Sequence, residues 1–177
     1  MVENSITVTG ASTESFESDI AKWSVQVRAS GKTQIDSFNK HKESMKKTMS
    51  FLKDNGIEDG IKQEVYLGPA SIKEYETKHP KTNEIIRTEW ITYQSIEIQS
   101  NDVHQIQKTH SKITELLGDG VIVRPSSPEF TYSKLADKRV DMLAKAAKDA
   151  RVRAEAIALQ AGSCLLYTSP SPRDGHQ

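Results

Sequence analysis

The chain of 177 residues contains one cysteine, equal numbers of basic and acidic residues (24 of each) and no long apolar run. Each shortage excludes something. A lone cysteine cannot close an internal disulfide. Zero net charge removes the usual electrostatic reason to expect nucleic acid or an anionic membrane as partner. No stretch approaches the ~20 apolar residues of a membrane span, so no transmembrane segment is expected. Chemistry is equally sparse: the sequence has no G-x-S-x-G, no glycine-rich phosphate loop, no H-E-x-x-H and no C-x-x-C. No catalytic residue, cofactor or metal site is therefore assigned, and the chain reads as non-enzymatic.

Both ends bear on the boundaries. After Met1 the sequence VENSITVTG has no basic n-region, apolar h-region or small-residue cleavage site, so no export signal is read there. Residues 164–174 read CLLYTSPSPRD, a Ser/Pro-rich stretch that follows an amphipathic helix without turn logic. One choice of codons for it spells a transposase adapter used in sequencing libraries. Residues 163–177 are accordingly read as a non-native, adapter-like tail without fixed structure, the alternative being a disordered Pro/Ser tail. Excluding the tail also removes Cys164, the one candidate for thiol chemistry. Residues 1–162 are then expected to form one domain, truncated at its C-terminus; a chain near this length buries a comfortable single core.

Between those ends the hydrophobic period alternates. Ile6 and Val8 alternate with Thr7 and Thr9, suggesting a short first strand. Ala21, Trp23, Val25, Val27 and Ala29 alternate with Lys22, Ser24, Gln26 and Arg28, the pattern of a half-buried strand with one wet face. From Gly31 to Asn55 the period changes, and Ile35, Phe38, Lys42, Met45, Met49 and Leu52 predict a helical stripe stopped by Asn55-Gly56. A strand is expected over 61–67 and a long one over about 85–98, the two forming a hairpin with an extended, charged tip whose centre, HPKTNE, carries turn residues. Asp102 is a plausible N-cap for a helix carrying Val103, Ile106, His110, Ile113 and Leu117. Pro125 and Pro128 break a further strand, and an Ala-rich helix fills 134–161. The fold class is α+β, an antiparallel-rich sheet with amphipathic helices packed on one face.

Several segments together carry a resemblance: ITVTG, VQVRASGKT, LKDNGI, SPEFTYSKLAD and MLAKAAKDARVRAEAIALQAG. In this order they resemble the SIMPL domain family, the periplasmic immunogenic protein-like proteins of the bacterial envelope, over nearly all of residues 5–162. The shared residues are scaffold residues rather than catalytic ones. The resemblance implies a periplasmic or envelope-associated protein, a role in oxidative or envelope stress tolerance, and oligomeric assembly, since one branch of the family builds rings. Two departures stand out. The signal peptide is missing, which leaves a cytoplasmic location open, and so is the family's closing strand after the long helix.

Individual residues offer little chemistry. His104 and His110, six apart on one helix, lie about 120° off a common line and do not make a shared metal site. Glu14, Glu17 and Asp19 form an acidic cluster read as solvated surface. Trp23 and Trp90 read as packing residues, and KHKESMKK as a solvated helix face. Two functional readings follow. In the first, the protein is a homo-oligomer or binds a protein partner through a long, charged hairpin, the candidate interaction arm being Lys73, Tyr75, Lys78, His79, Lys81 and Arg87. In the second it binds a small ligand or metal, or is a hydrolase-type enzyme, through residues distant in sequence, with Ser133, Asp137 and His110 as the candidates.

Overall fold

A computed structural model describes residues 7–162. The elements run β1 (Ile20–Gly31), α1 (Gln34–Asp54), β2 (Gln63–Leu67), β3 (Ser71–Lys78), β4 (Ile85–Ser100), α2 (Val103–Lys112), a 3-10 helix (Ile113–Asp119), β5 (Ile122–Pro125), β6 (Glu129–Thr131) and α3 (Leu135–Gln160). They fall into two compact units. One comprises Ser18–Tyr132, and the other joins α3 to the segment before residue 18. The tail expected to be adapter-like lies outside the described residues.

In the first unit all strand pairs are antiparallel, and β1 lies between β4 on one side and β5 and β6 on the other. The α+β class and the antiparallel sheet are as the periodicity predicted. Ala21, Trp23, Val25, Val27 and Ala29 are all buried, while Lys22, Ser24, Gln26 and Arg28 are not. With Ile96 and Ile98 of β4, Leu52, Ile57, Ile106, Ile113 and Leu116, the apolar parity of β1 makes the core. Helices α1 and α2 supply its cover. Ser126 holds the break between β5 and β6 against β1: its N–H donates to the Ser24 carbonyl at 2.8 Å, and its carbonyl accepts from Trp23 Nε1 at 3.1 Å.

Helix α1 starts at Thr33, whose hydroxyl accepts from the Asp36 N–H at 3.1 Å, and ends at Asn55-Gly56, with Gly56 at φ 78. Its buried face differs from the expected one. Ser37, His41, Ser44, Thr48 and Leu52 are buried, whereas Ile35 and Phe38 are 74% and 45% exposed. The hydroxyls of Ser37 and Thr48 are satisfied locally, which is what allows them in. Thr48 Oγ1 donates to the Ser44 carbonyl at 2.8 Å, Ser37 Oγ to that of Gln34 at 2.9 Å, and Ser37 and Thr92 share a hydroxyl bond of 2.8 Å. Small side chains let the helix lie close to the sheet, and Met45 and Met49 pack beside the seam.

Asp102 caps α2 as predicted, accepting from the Gln105 N–H at 3.0 Å. The expected apolar series shifts at its end: Leu116 is buried and Leu117 is 57% exposed. The cause is the change to a 3-10 helix at Ile113, whose turn of about three residues moves each later side chain round the axis.

In the second unit the expected first strand is absent from the described residues. Ile6 lies outside them, and residues 7–17 form no strand. The segment lies along α3 instead. The Ala11 N–H donates to Asp149 Oδ2 at 3.1 Å, Glu14 pairs with Lys145, and Lys138 sits 5.8 Å from the Phe16 ring centre. Gly10 makes the approach possible, because a Cβ there would lie 1.9 Å from the Ala146 carbonyl oxygen.

Candidate interaction arm

Strand β4 is longer than any strand it pairs with. Its second half, Ile96–Ser100 in register with β2, and its middle, paired with β1 as far as Gly31↔Trp90, lie within the sheet. Beyond Trp90 it pairs with β3 alone, in the register Tyr75↔Glu89, Glu76↔Thr88 and Thr77↔Arg87, with a bulge at Thr77/Lys78. This two-stranded extension is the arm. From Lys73 to Thr88 every residue of the hairpin is exposed. Among the described residues the outer edge of β3 has no strand partner, so its outward N–H and C=O groups face solvent.

The register divides the predicted arm residues into two groups. Lys73, Tyr75 and Arg87 share the face directed away from the helices, since they align with Ile91, Glu89 and Thr77 and not with the buried Thr92 parity. Lys78, His79 and Lys81 belong to the tip. On the face, Lys73 Nζ lies 5.5 Å from the Tyr93 ring centre. Hydrogen bonding to Tyr93, and then the fields of Tyr93 and Tyr75, raise the Lys73 pKa, so it stays charged. Arg87 pairs with Glu89 at 3.1 Å and Lys78 with Glu76 at 3.8 Å. Exposed pairs of this kind contribute about 0–1 kcal/mol, and serve orientation more than stability.

The tip is built around His79. Its N–H donates to the Glu84 carbonyl at 2.8 Å, its carbonyl accepts from Asn83 at 2.9 Å, and Nδ1 accepts from the Lys81 and Thr82 N–H groups at 3.3 Å. Asn83 takes the positive φ of 60 that closes the turn, a conformation asparagine tolerates better than most residues. The arm also carries apolar surface the candidate set omits: Ile85 and Ile86 are 55% and 62% exposed. Their signal in the sequence was present but ambiguous, because consecutive isoleucines at a strand start read equally well as core.

The other candidates lie elsewhere. His110 packs edge-on against Trp23, with ring centres 5.6 Å apart, and its buried Nδ1 has no hydrogen-bond partner. Ser133 and Asp137 belong to the α3 unit. Glu14, from the acidic cluster, is ion-paired rather than simply solvated, and Lys145 holds its carboxyl below the usual carboxylate range. Trp23 is buried in the core. Among the described residues no three His, Cys, Asp or Glu side chains gather into a group able to hold a metal. Two open clefts occur. One, of about 460 Å³, is lined by Arg28, Ser30, Lys40, Glu43 and Lys47 among others, and one of about 530 Å³ by Asp54, Asp102, His104 and Lys108. Both mix charges of either sign. No helix among the described residues is long and apolar enough to cross a membrane.

The model of the SIMPL family, described as a protein of unknown function (DUF541), matches residues 6–170. The chain belongs to the SIMPL family. This match spans both structural units and runs past Gly162. No curated protein is significantly similar to the chain. Among solved structures, a hydantoinase/carbamoylase-family amidase from Burkholderia multivorans is 7% identical over 66% of this chain and 29% of its own, with a TM-score of 0.37. A counterpart from Burkholderia ambifaria is 11% identical over 71% of this chain and 29% of its own, again at 0.37. The designed protein Foldit4 is 12% identical over 61% of this chain and 97% of its own, at 0.29. This chain thus spans under a third of the amidases' length, and at such TM-scores the likenesses carry no argument about fold or chemistry.

Proposed function

We propose that this SIMPL protein acts by association and not by catalysis, as a homo-oligomer or by binding a protein partner in the bacterial envelope, in the service of oxidative or envelope stress tolerance. One observation carries the reading: a two-stranded arm, exposed on both faces, continues β4 beyond the sheet, and among the described residues no strand pairs with the outer edge of β3. Isolated two-stranded hairpins are only marginally stable in water, so an arm of this length gains by being covered. Its surface suits a protein partner. Tyr75, Ile85 and Ile86 offer apolar and aromatic area, and Lys73 and Arg87 offer charge, the mixture found in interface cores and rims. The envelope and stress assignments rest on the family alone.

The test is to place acidic charges on the arm. Replacing Tyr75 and Ile86 together by Glu should abolish association while leaving the fold intact, because both are exposed. Gln26→Glu, on the open face of the sheet, should leave association unchanged. Loss of association in both variants, or in neither, removes the arm from the reading and brings the ligand-binding alternative forward.

A further inference from the structure

His41 is the one ionisable side chain in the buried seam between α1 and the sheet, and it is 3% exposed. Of its companions along the helix, Ser37 and Thr48 spend their hydroxyls on partners of their own, and none of Ser37, Ser44 and Thr48 carries a charge to offset a protonated ring. The Val27 backbone hydrogen bonds to the ring, and Nε2 is buried without any partner. A neutral imidazole tolerates this, since one nitrogen is served and the other holds only a lone pair. A protonated ring would carry a second N–H and a positive charge into a site with no acceptor, and buried donors left unmatched are costly.

We propose that His41 makes the docking of α1 on the sheet a proton-sensitive latch, closed while the ring is neutral and released when it takes a second proton. The surroundings supply no compensating charge. Positions of β1 and β4 that face α1 are Ala21, Trp23, Val25, Val27, Ala29, Trp90, Thr92, Gln94, Ile96, Ile98 and Ser100, none of them ionisable. On β3 the helix-side parity carries Glu74 and Glu76, and the 3-10 helix carries Glu115 and Asp119, all exposed to water. On α1 itself the nearest charges are Lys40, paired with Asp36 at 3.1 Å, and Lys42, which is exposed. No carboxylate is buried with the ring.

The direction of the titration agrees with the geometry. Burial pushes the His41 pKa below the ordinary imidazole value, and the Val27 hydrogen bond opposes this only in part. A histidine whose folded-state pKa lies below its unfolded value, about 6.5, stabilises the fold fully above that pH and loses the contribution as pH falls through the folded value. Acid therefore opens the latch. Ser37 adds a structural consequence, since its bond to Thr92 ties the same seam to the strand position opposite Ile72, at the root of the arm.

The experiment follows the imidazole resonances of the whole chain by NMR, and amide exchange along α1, between about pH 7 and pH 5. His41 is expected to titrate below the ordinary imidazole value of about 6.5, with loss of α1 protection tracking its protonation. His41→Gln, which cannot charge, should abolish the pH-dependent part of that loss. If His41 titrates at or above about 6.5, or if it protonates while α1 protection stays constant, the latch does not exist. Those two readings use the unmodified protein and decide the matter even if His41→Gln fails to fold.

Discussion

Replacing Gly56 by alanine probes the join between α1, β2 and α2, where two glutamine side chains, two backbone carbonyls and one backbone N–H form a closed clasp. Gln63 Nε2 donates to the Gly56 carbonyl at 3.1 Å and to Gln105 Oε1 at 2.8 Å, and Gln105 Nε2 donates to the Asn55 carbonyl at 2.8 Å. Gln63 Oε1 in turn accepts from the Glu58 N–H at 3.1 Å. Gly56 is bound to this arrangement in two ways. Its φ of 78 is left-handed, and a Cβ there would lie 2.1 Å from Gln105 Nε2. The left-handed backbone alone costs a residue with a Cβ roughly 1–2 kcal/mol. The clash falls on the end of a flexible side chain, so Gln105 swings aside and its two clasp bonds are lost, at roughly 0.5–1.5 kcal/mol each. Gly56→Ala should therefore cost roughly 2–5 kcal/mol, and Gln105→Ala roughly 1–3 kcal/mol through the same two bonds. Because the clasp can be lost only once, the double variant should be more stable than the sum of the single effects predicts, by roughly 1–3 kcal/mol. Urea unfolding of the four proteins measures this directly. Additivity within about 0.5 kcal/mol would refute the reasoning, since Gly56 and Gln105 would then act independently.

Two further perturbations follow from the packing of each unit. Val25→Asp should destabilise by roughly 3 kcal/mol or more, because it buries an unpaired charge among Trp23, Val27 and Ile96, whereas Gln26→Asp on the wet parity should cost well under about 1 kcal/mol. Equal costs in denaturant would show that β1 is not half-buried. In the α3 unit, Gly10→Val should displace the segment from the helix, since its Cβ would overlap the Ala146 carbonyl, and limited proteolysis should then cut residues 7–17 faster than in the parent chain. Unchanged cleavage would mean that the segment is not held there.

The sheet was readable because β1 obeys a strict period of two, so burial of the odd positions from Ala21 to Ala29 could be assigned residue by residue. The caps at Asp102 and Asn55-Gly56 and the proline break between β5 and β6 were readable for the same kind of local reason, whereas the strand Ser71–Lys78, which pairs with the outer half of β4, reads in the sequence as part of a hairpin tip. The seam of α1 was not readable. Counting apolar residues pointed to Ile35, Phe38 and Met45, but the helix turns a different face inward by roughly a quarter turn, at about 100° per residue. Ser37, Ser44 and Thr48 count as polar in such a tally, yet the hydroxyls of Ser37 and Thr48 bond within the helix or to Thr92, and the small size of all three permits close approach. His41 belongs to the same seam, although the KHKESMKK segment that contains it reads in the sequence as a solvated helix face; the buried His41 and Ser44 correct that reading. The segment at Thr7–Thr9 alternates like a strand, but the chain just after it is held by α3, the Ala11 N–H donating to Asp149, a long-range partnership that local periodicity cannot express. Of the arm, the length and charge were legible; which residues share a face depended on a register set by β4.

The most direct test of association through the arm is the mass of the protein in solution, measured by sedimentation from dilute to concentrated samples, for the chain and for a variant in which residues 78–84 are replaced by a two-residue turn. The account predicts a discrete assembly for the first and a smaller species, folded by circular dichroism, for the second. A chain that stays monomeric throughout, or one whose mass is the same with and without the tip, would contradict it.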